Sequence, residues 1–187
     1  MIFNLPNSLT WTRIVLIPLV VGVYYLPLPL HEQNLIATVA FIVAAVTDWF
    51  DGWVARKLGQ TSAFGAFLDP VADKLMVAAA LVILVQLDRA DAIVAIIIVG
   101  REITISALRE WMAHIGAAKS VAVSFIGKLK TTAQMVAIPM LLYYDPLLGL
   151  PIAGMGEALI WLAAALTLWS MGYYLGKAWP VIRDRVL

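Results

Sequence analysis

The chain has 187 residues, 63% hydrophobic and 13% charged, with a formal net charge of +1 and no cysteine. Soluble domains are about 45–50% apolar, so this composition and its mean hydropathy of +0.91 indicate an integral membrane protein. The absence of cysteine excludes disulfides, thiol nucleophiles and thiolate-bound zinc or iron–sulfur clusters, and the 13 Lys and Arg form no basic stripe that would suit a nucleic-acid partner.

A membrane-crossing helix needs about 20 apolar residues. Six stretches approach that length: 9–28, 33–55, 67–87, 92–112, 122–144 and 155–177. They predict an all-α, six-span protein with a single transmembrane domain over residues 1–187. The first ten residues carry neither a basic leader nor a small-residue cleavage site, so the first run is expected to be retained as a span. Pro27 and Pro29 separate it from the second run, which carries Asp48 and Asp51 near its end. Residues 59–62 form the next break, and Asp69 and Asp73 follow early in the third run. Turn-forming residues 88–91 precede the fourth, which holds Arg101, Glu102 and Arg109. Residues 116–120 precede the fifth, where Lys128 and Lys130 lie near the start. A stretch with two Pro and three Gly, residues 145–156, precedes the sixth.

Positive charge is concentrated on one side of this arrangement, at Arg56, Lys57, Lys119, Lys128, Lys130, Lys177, Arg183 and Arg185. The loops of the other side offer Arg89 against Glu32, Asp88, Asp91, Asp145 and Glu157. The excess of Lys and Arg on cytoplasmic loops assigns the first side to the cytoplasm. Six spans then place both termini there.

The carboxylates need a reason to be present. An acidic residue at the centre of a membrane helix costs about 2.5–3.5 kcal/mol, so four left unpaired would cost roughly 10 kcal/mol, within the range of a whole domain's net stability of about 5–15 kcal/mol. Asp48, Asp51, Gly52 and Ala55 stand at i, i+3, i+4 and i+7 and share one helical stripe, and Asp69 and Asp73 are i and i+4 on the next helix. The short connection predicts antiparallel neighbours whose acidic pairs can converge. Oxygen donors of this kind suit a hard divalent cation such as magnesium, manganese or calcium.

In order, these residues read Asp-x2-Asp-Gly-x2-Ala-Arg-x8-Gly-x3-Asp-x3-Asp, from Asp48 through Arg56 and Gly65 to Asp73. With each residue type at under about a tenth of average usage, eight chance matches have a probability below roughly 1 in 10^8 per window. The chain here resembles the CDP-alcohol phosphotransferase family, with no motif position missing. The resemblance implies six membrane helices in a homodimer and a site facing the cytoplasm with two magnesium or manganese ions. It implies that Asp48, Asp51, Asp69 and Asp73 bind the ions and that Asp73 is also the general base on an acceptor hydroxyl. Gly52, Ala55, Arg56 and Gly65 would line the CDP pocket. The two glycines allow close approach of a nucleotide to the backbone, and Arg56 offers a planar fork to phosphate oxygens.

The motif leaves the acceptor open. Cations near an acidic site imply an anionic guest, and Arg101, Arg109 and Lys128 supply them. Residues 101–110 and 127–134, with 4–13 and 44–74, are similar to those of family members that use sn-glycerol 3-phosphate. That similarity implies transfer of a phosphatidyl group from CDP-diacylglycerol with release of CMP, as a step of phosphatidylglycerol and cardiolipin synthesis in the bacterial inner membrane. Arg101, Arg109 and Lys128 would hold the acceptor phosphate. Asn7, Thr10 and Arg13 would assist with the nucleotide or phosphate.

Other readings exist for several of these residues. Arg101 with Glu102, and Arg109 with Glu110, could be structural ion pairs, and Lys130 is accounted for as a positive-inside charge. Gly172 and Gly176 fit small-residue helix packing, and His31 and His114 are expected at the interface. Inositol phosphate, serine or phosphatidylglycerol are alternative acceptors within the family, and a divalent cation transporter is the alternative outside it. The sequence does not rank Thr104, Ser106, Thr131 and Gln134 as acceptor contacts.

Overall fold

Long runs of Leu, Ile, Val and Ala in an apolar medium leave the backbone only its own groups to bond, and helices satisfy them within one segment. The computed structural model describes residues 5–58, 63–117 and 125–186, with the backbone alone at residues 5–9, 49, 51–58, 63, 64, 66, 125, 126, 128 and 184–186. Among the described residues are six α-helices: α1 (Leu5–Gly22), α2 (Leu30–Leu58), α3 (Ala63–Gln86), α4 (Ala92–His114), α5 (Phe125–Tyr143) and α6 (Ile152–Val186). A 3-10 turn at Val23–Tyr25 follows α1. Each helix covers one of the six expected runs. The largest differences are at α6, which extends past its expected end, and at α1, which starts earlier and stops at Gly22, short of residue 28.

Among the described residues, two segments have both the length and the apolar composition to cross a bilayer, Leu30–Asp48 and Ile152–Arg183, and Thr10–Tyr25 is a shorter apolar run. α3 and α4 fall short because every 18-residue stretch of α3 holds Asp69, Asp73 and Lys74, and every such stretch of α4 holds Arg101, Glu102 and Arg109. The residues that lower their hydropathy are the candidate site residues. Outward faces remain apolar, with Val15, Phe67, Val82, Ile96 and Ile103 all more than 60% exposed. Helices that are apolar on both inner and outer faces belong in lipid.

The helix ends show why the chain turns where it does. At the end of α3, the N–H of Arg89 reaches the carbonyl of Leu84 and that of Asp88 the carbonyl of Val85, closing the helix with Asp88 at φ +54°. Asp tolerates this left-handed conformation better than most residues. Two residues on, Asp91 caps α4 by accepting from the N–H of Ile93 at 2.7 Å. α4 closes in the same way at Gly116, φ +72°.

The helices pack in a ring, α1 against α2, α2 against α5, α5 against α6, α6 against α4, α4 against α3, and α3 against α1. The core inside it draws Val20, Phe41, Ala44, Met76, Leu81, Leu84, Ile98, Ile138, Leu141 and Ile160 from all six helices. α2 and α3 are not the close neighbours that their short connection predicts. α1 contacts each of them far more extensively than they contact each other. The physical reason is charge: two acid-bearing helix faces repel, and the helix inserted between them carries a cation.

Candidate active site

Thr10 and Arg13 lie three residues apart on α1 and so share a face. Arg13 Nη1 donates to Asp48 Oδ1 at 2.5 Å and also to Asp73 Oδ1, and Nη2 donates to Asp69 Oδ1 at 3.1 Å. Thr10 Oγ1 donates to the same Asp69 oxygen at 2.5 Å. Asp69 and Asp73, four residues apart on α3, therefore meet Asp48 of α2 at one guanidinium. The Arg13 side chain is 2% exposed, whereas those of Asp48, Asp69 and Asp73 are 43%, 41% and 46% exposed. The cation lies inside and the carboxylates keep open faces.

Three of the four expected metal ligands are thus brought together. Arg13, grouped from sequence with the phosphate-binding residues, stands among them. No cluster of three acidic or histidine side chains poised for a metal occurs among the described residues, because these carboxylates turn toward Arg13. The donor set still fits a hard divalent ion: it consists of carboxylate oxygens with open faces, and one guanidinium leaves it with two uncompensated negative charges. Gly65, an expected pocket residue, is buried on α3. Beyond their helical backbone, Asn7, Asp51, Gly52, Ala55, Arg56 and Lys128 lie outside the described residues.

A cavity of about 310 Å³ opens beside the acids. Arg13, Asp48, Asp73 and Lys74 line one part of it, Phe41, Ala44, Met76 and Met135 give it an apolar wall, and Glu102, Thr131 and Gln134 bring α4 and α5 to it.

Behind Glu102 is a second charged cluster. Lys130 Nζ and Arg101 Nη1 both donate to Glu102 Oε1, the latter at 2.9 Å, and Arg101 Nη2 reaches Ser170 Oγ at 3.3 Å. Arg101 and Arg109 place their guanidinium carbons 5.9 and 5.2 Å from the ring centre of the buried Tyr174. The pairing of Arg101 with Glu102 is borne out. Lys130 is not the exposed positive-inside charge it was taken for: it is buried and ion-paired, because its side chain reaches inward across the bundle to Glu102 of α4.

Ser170 and Tyr174 escaped the sequence reading. They sit at i and i+4 with Thr167 and Ala178 on the buried stripe of α6, and a polar stripe within a long apolar helix is the signal that could have found them. Gly172 and Gly176 have open space where a Cβ would stand, so among the described residues they pack against no helix of the chain. Thr104 is exposed and donates to the carbonyl of Gly100 at 2.8 Å, away from the cavity. At the opposite end of the bundle, exposed His31 pairs with Asp145 at 2.8 Å, the peripheral placement expected of it.

Residues 3–169 match the family model described as CDP-alcohol phosphatidyltransferase, and the chain belongs to that family of membrane proteins. The resemblance read from the aspartate motif is therefore borne out. The chain is 52% identical over 185 residues to the CDP-diacylglycerol–glycerol-3-phosphate 3-phosphatidyltransferase of Escherichia coli K12, covering 98% of this chain and 99% of that one. It is 51% identical over 178 residues to the protein of the same name from Pectobacterium atrosepticum, covering 94% and 95%.

Proposed function

We propose that this protein transfers the phosphatidyl group of CDP-diacylglycerol to sn-glycerol 3-phosphate, giving phosphatidylglycerophosphate and CMP. The observation that carries the reaction type is the convergence of Asp48, Asp69 and Asp73 from two helices at the edge of one cavity. The acceptor is supported by the activity for which relatives that match the chain along nearly its whole length are named.

Asp48, Asp51, Asp69 and Asp73 would hold two magnesium or manganese ions, which when bound neutralise the diphosphate and favour in-line displacement. Asp73 lines the cavity and takes the proton of the acceptor's primary hydroxyl as that oxygen attacks the lipid-linked phosphorus. The bond to CMP breaks as the new one forms. Gly52, Ala55, Arg56 and Gly65, with Asn7 and Thr10, form the CDP pocket. Arg101, Arg109 and Lys128 hold the acceptor phosphate, with Arg13 reaching it from within the acidic cluster. The chain works as one domain of six membrane spans in the bacterial inner membrane, its site open to the cytoplasm, as a homodimer.

Purified protein given CDP-diacylglycerol should release CMP when sn-glycerol 3-phosphate is added, and inositol phosphate, serine, phosphatidylglycerol and glycerol should compete poorly. Preference for another acceptor would move the chain elsewhere in the family. Divalent cation flux in liposomes without CMP release would overturn the enzyme reading.

A further inference from the structure

We propose that Gln134 selects the acceptor by accepting a hydrogen bond from its secondary hydroxyl, an inference that rests on the glycerol 3-phosphate reading above. Gln134 is only 4% exposed, and its Oε1 is buried with no hydrogen-bond partner. It lines the same cavity as Asp73 and Glu102. Buried side-chain acceptors are nearly always satisfied; this oxygen is closed off beneath the cavity wall, and a turn about the last side-chain bond would present it to a ligand's donor.

The neighbouring polar groups are less suited to that role. Thr131 donates its hydroxyl to the carbonyl of Gly127 at 2.9 Å and is exposed. Glu102 accepts from Lys130 and Arg101. Gln134 stands four residues after Lys130, on the same face of α5 and one turn away, so this face presents a cation and then an uncharged acceptor. A three-carbon acceptor with its phosphate toward the cations of α4 and α5 and its primary hydroxyl at Asp73 carries one further donor, the hydroxyl of its middle carbon. Sites built to bond a substrate hydroxyl reject analogues lacking it by large factors, because the protein group is then left unpaired.

The test compares sn-glycerol 3-phosphate with propane-1,3-diol phosphate, which keeps the phosphate and primary hydroxyl and lacks the middle one. The quantity read is the ratio of kcat/KM for the two acceptors within each enzyme preparation, which cancels differences in folded fraction. The wild-type ratio should favour glycerol 3-phosphate by about 100-fold or more, and in Gln134→Leu and Gln134→Met it should fall at least about tenfold. An unchanged ratio in either variant, as expected if a water or no ligand meets Gln134, overturns the proposal. So does loss of all turnover in both variants, which would make Gln134 structural. Failure of the wild type to release CMP with glycerol 3-phosphate would instead overturn the reading on which this proposal rests.

Discussion

The two charged regions of this bundle are built with opposite imbalance. Where α1, α2 and α3 meet, three carboxylates share one guanidinium, leaving two negative charges and open carboxylate faces. Where α4, α5 and α6 meet, the single carboxylate of Glu102 faces Arg101 and Lys130, with Arg109 nearby on Tyr174, leaving two positive charges. The first imbalance is the one that the proposed metal ions would offset, and the second the one that the proposed acceptor phosphate would offset. Glu102 and Asp73 border one cavity, and Arg101 and Lys130 stand behind Glu102. That polarity suits a reaction joining a metal-neutralised diphosphate to a phosphorylated alcohol, and it is weakly suited to cation passage, because the second region repels the cargo.

The sharpest way to break the comparison is to remove the divalent ions proposed for the acidic region. Chelation with EDTA should bring CMP release to background, and added magnesium or manganese should restore it. Activity that persists after exhaustive chelation would remove the metal role. Next in size, Asp73→Asn should lower turnover by about 10²- to 10⁴-fold, the usual contribution of a positioned base, while CMP binding is retained in part. Turnover near the wild-type value would take Asp73 out of that role.

The cationic region should respond differently. Glu102→Gln leaves Arg101 and Lys130 without their shared counter-charge, and breaking a buried pair costs about 3–5 kcal/mol. The variant should show a clearly lowered Tm in detergent, and an unchanged Tm would mean that solvent already screens the cluster. Arg109→Ala should raise KM for glycerol 3-phosphate about tenfold with a smaller effect on kcat, the mark of a lost ground-state contact. A fall in kcat and Tm with constant KM would assign Arg109 to packing on Tyr174. The smallest effect is outside both regions: Asp91→Ala removes the cap of α4 and should cost about 1 kcal/mol of stability without changing the relative use of acceptors.

Much of this molecule was legible before any coordinate. The six helices follow from apolar runs that have no other way to satisfy their backbone, and the spacing of Asp48, Asp69 and Asp73 encodes which helical faces carry charge. Local periodicity is a property of one segment, so it can be read from one segment. Which helices become neighbours is a property of the whole charge pattern. The short connection between α2 and α3 suggested direct pairing, and the repulsion between their acids is relieved by α1, whose Arg13 is fixed at the focus of all three.

The same reason explains the misread Lys130 and the overlooked Ser170 and Tyr174. A lysine near a helix start is ordinary in sequence, and only the fold, which brings its ammonium across to Glu102 of α4, reveals that it is buried. A tyrosine between two glycines suggests a packing motif, and only the packing of α6 on α4 sets it beneath two arginines. The sequence by itself determined the reaction-bearing residue types and the helices that carry them, because those depend on residue chemistry and helical periodicity. The tertiary structure alone decided that Asp48 and Asp73 share one cavity with Glu102 and Gln134, because that requires helices far apart in the chain to share a centre.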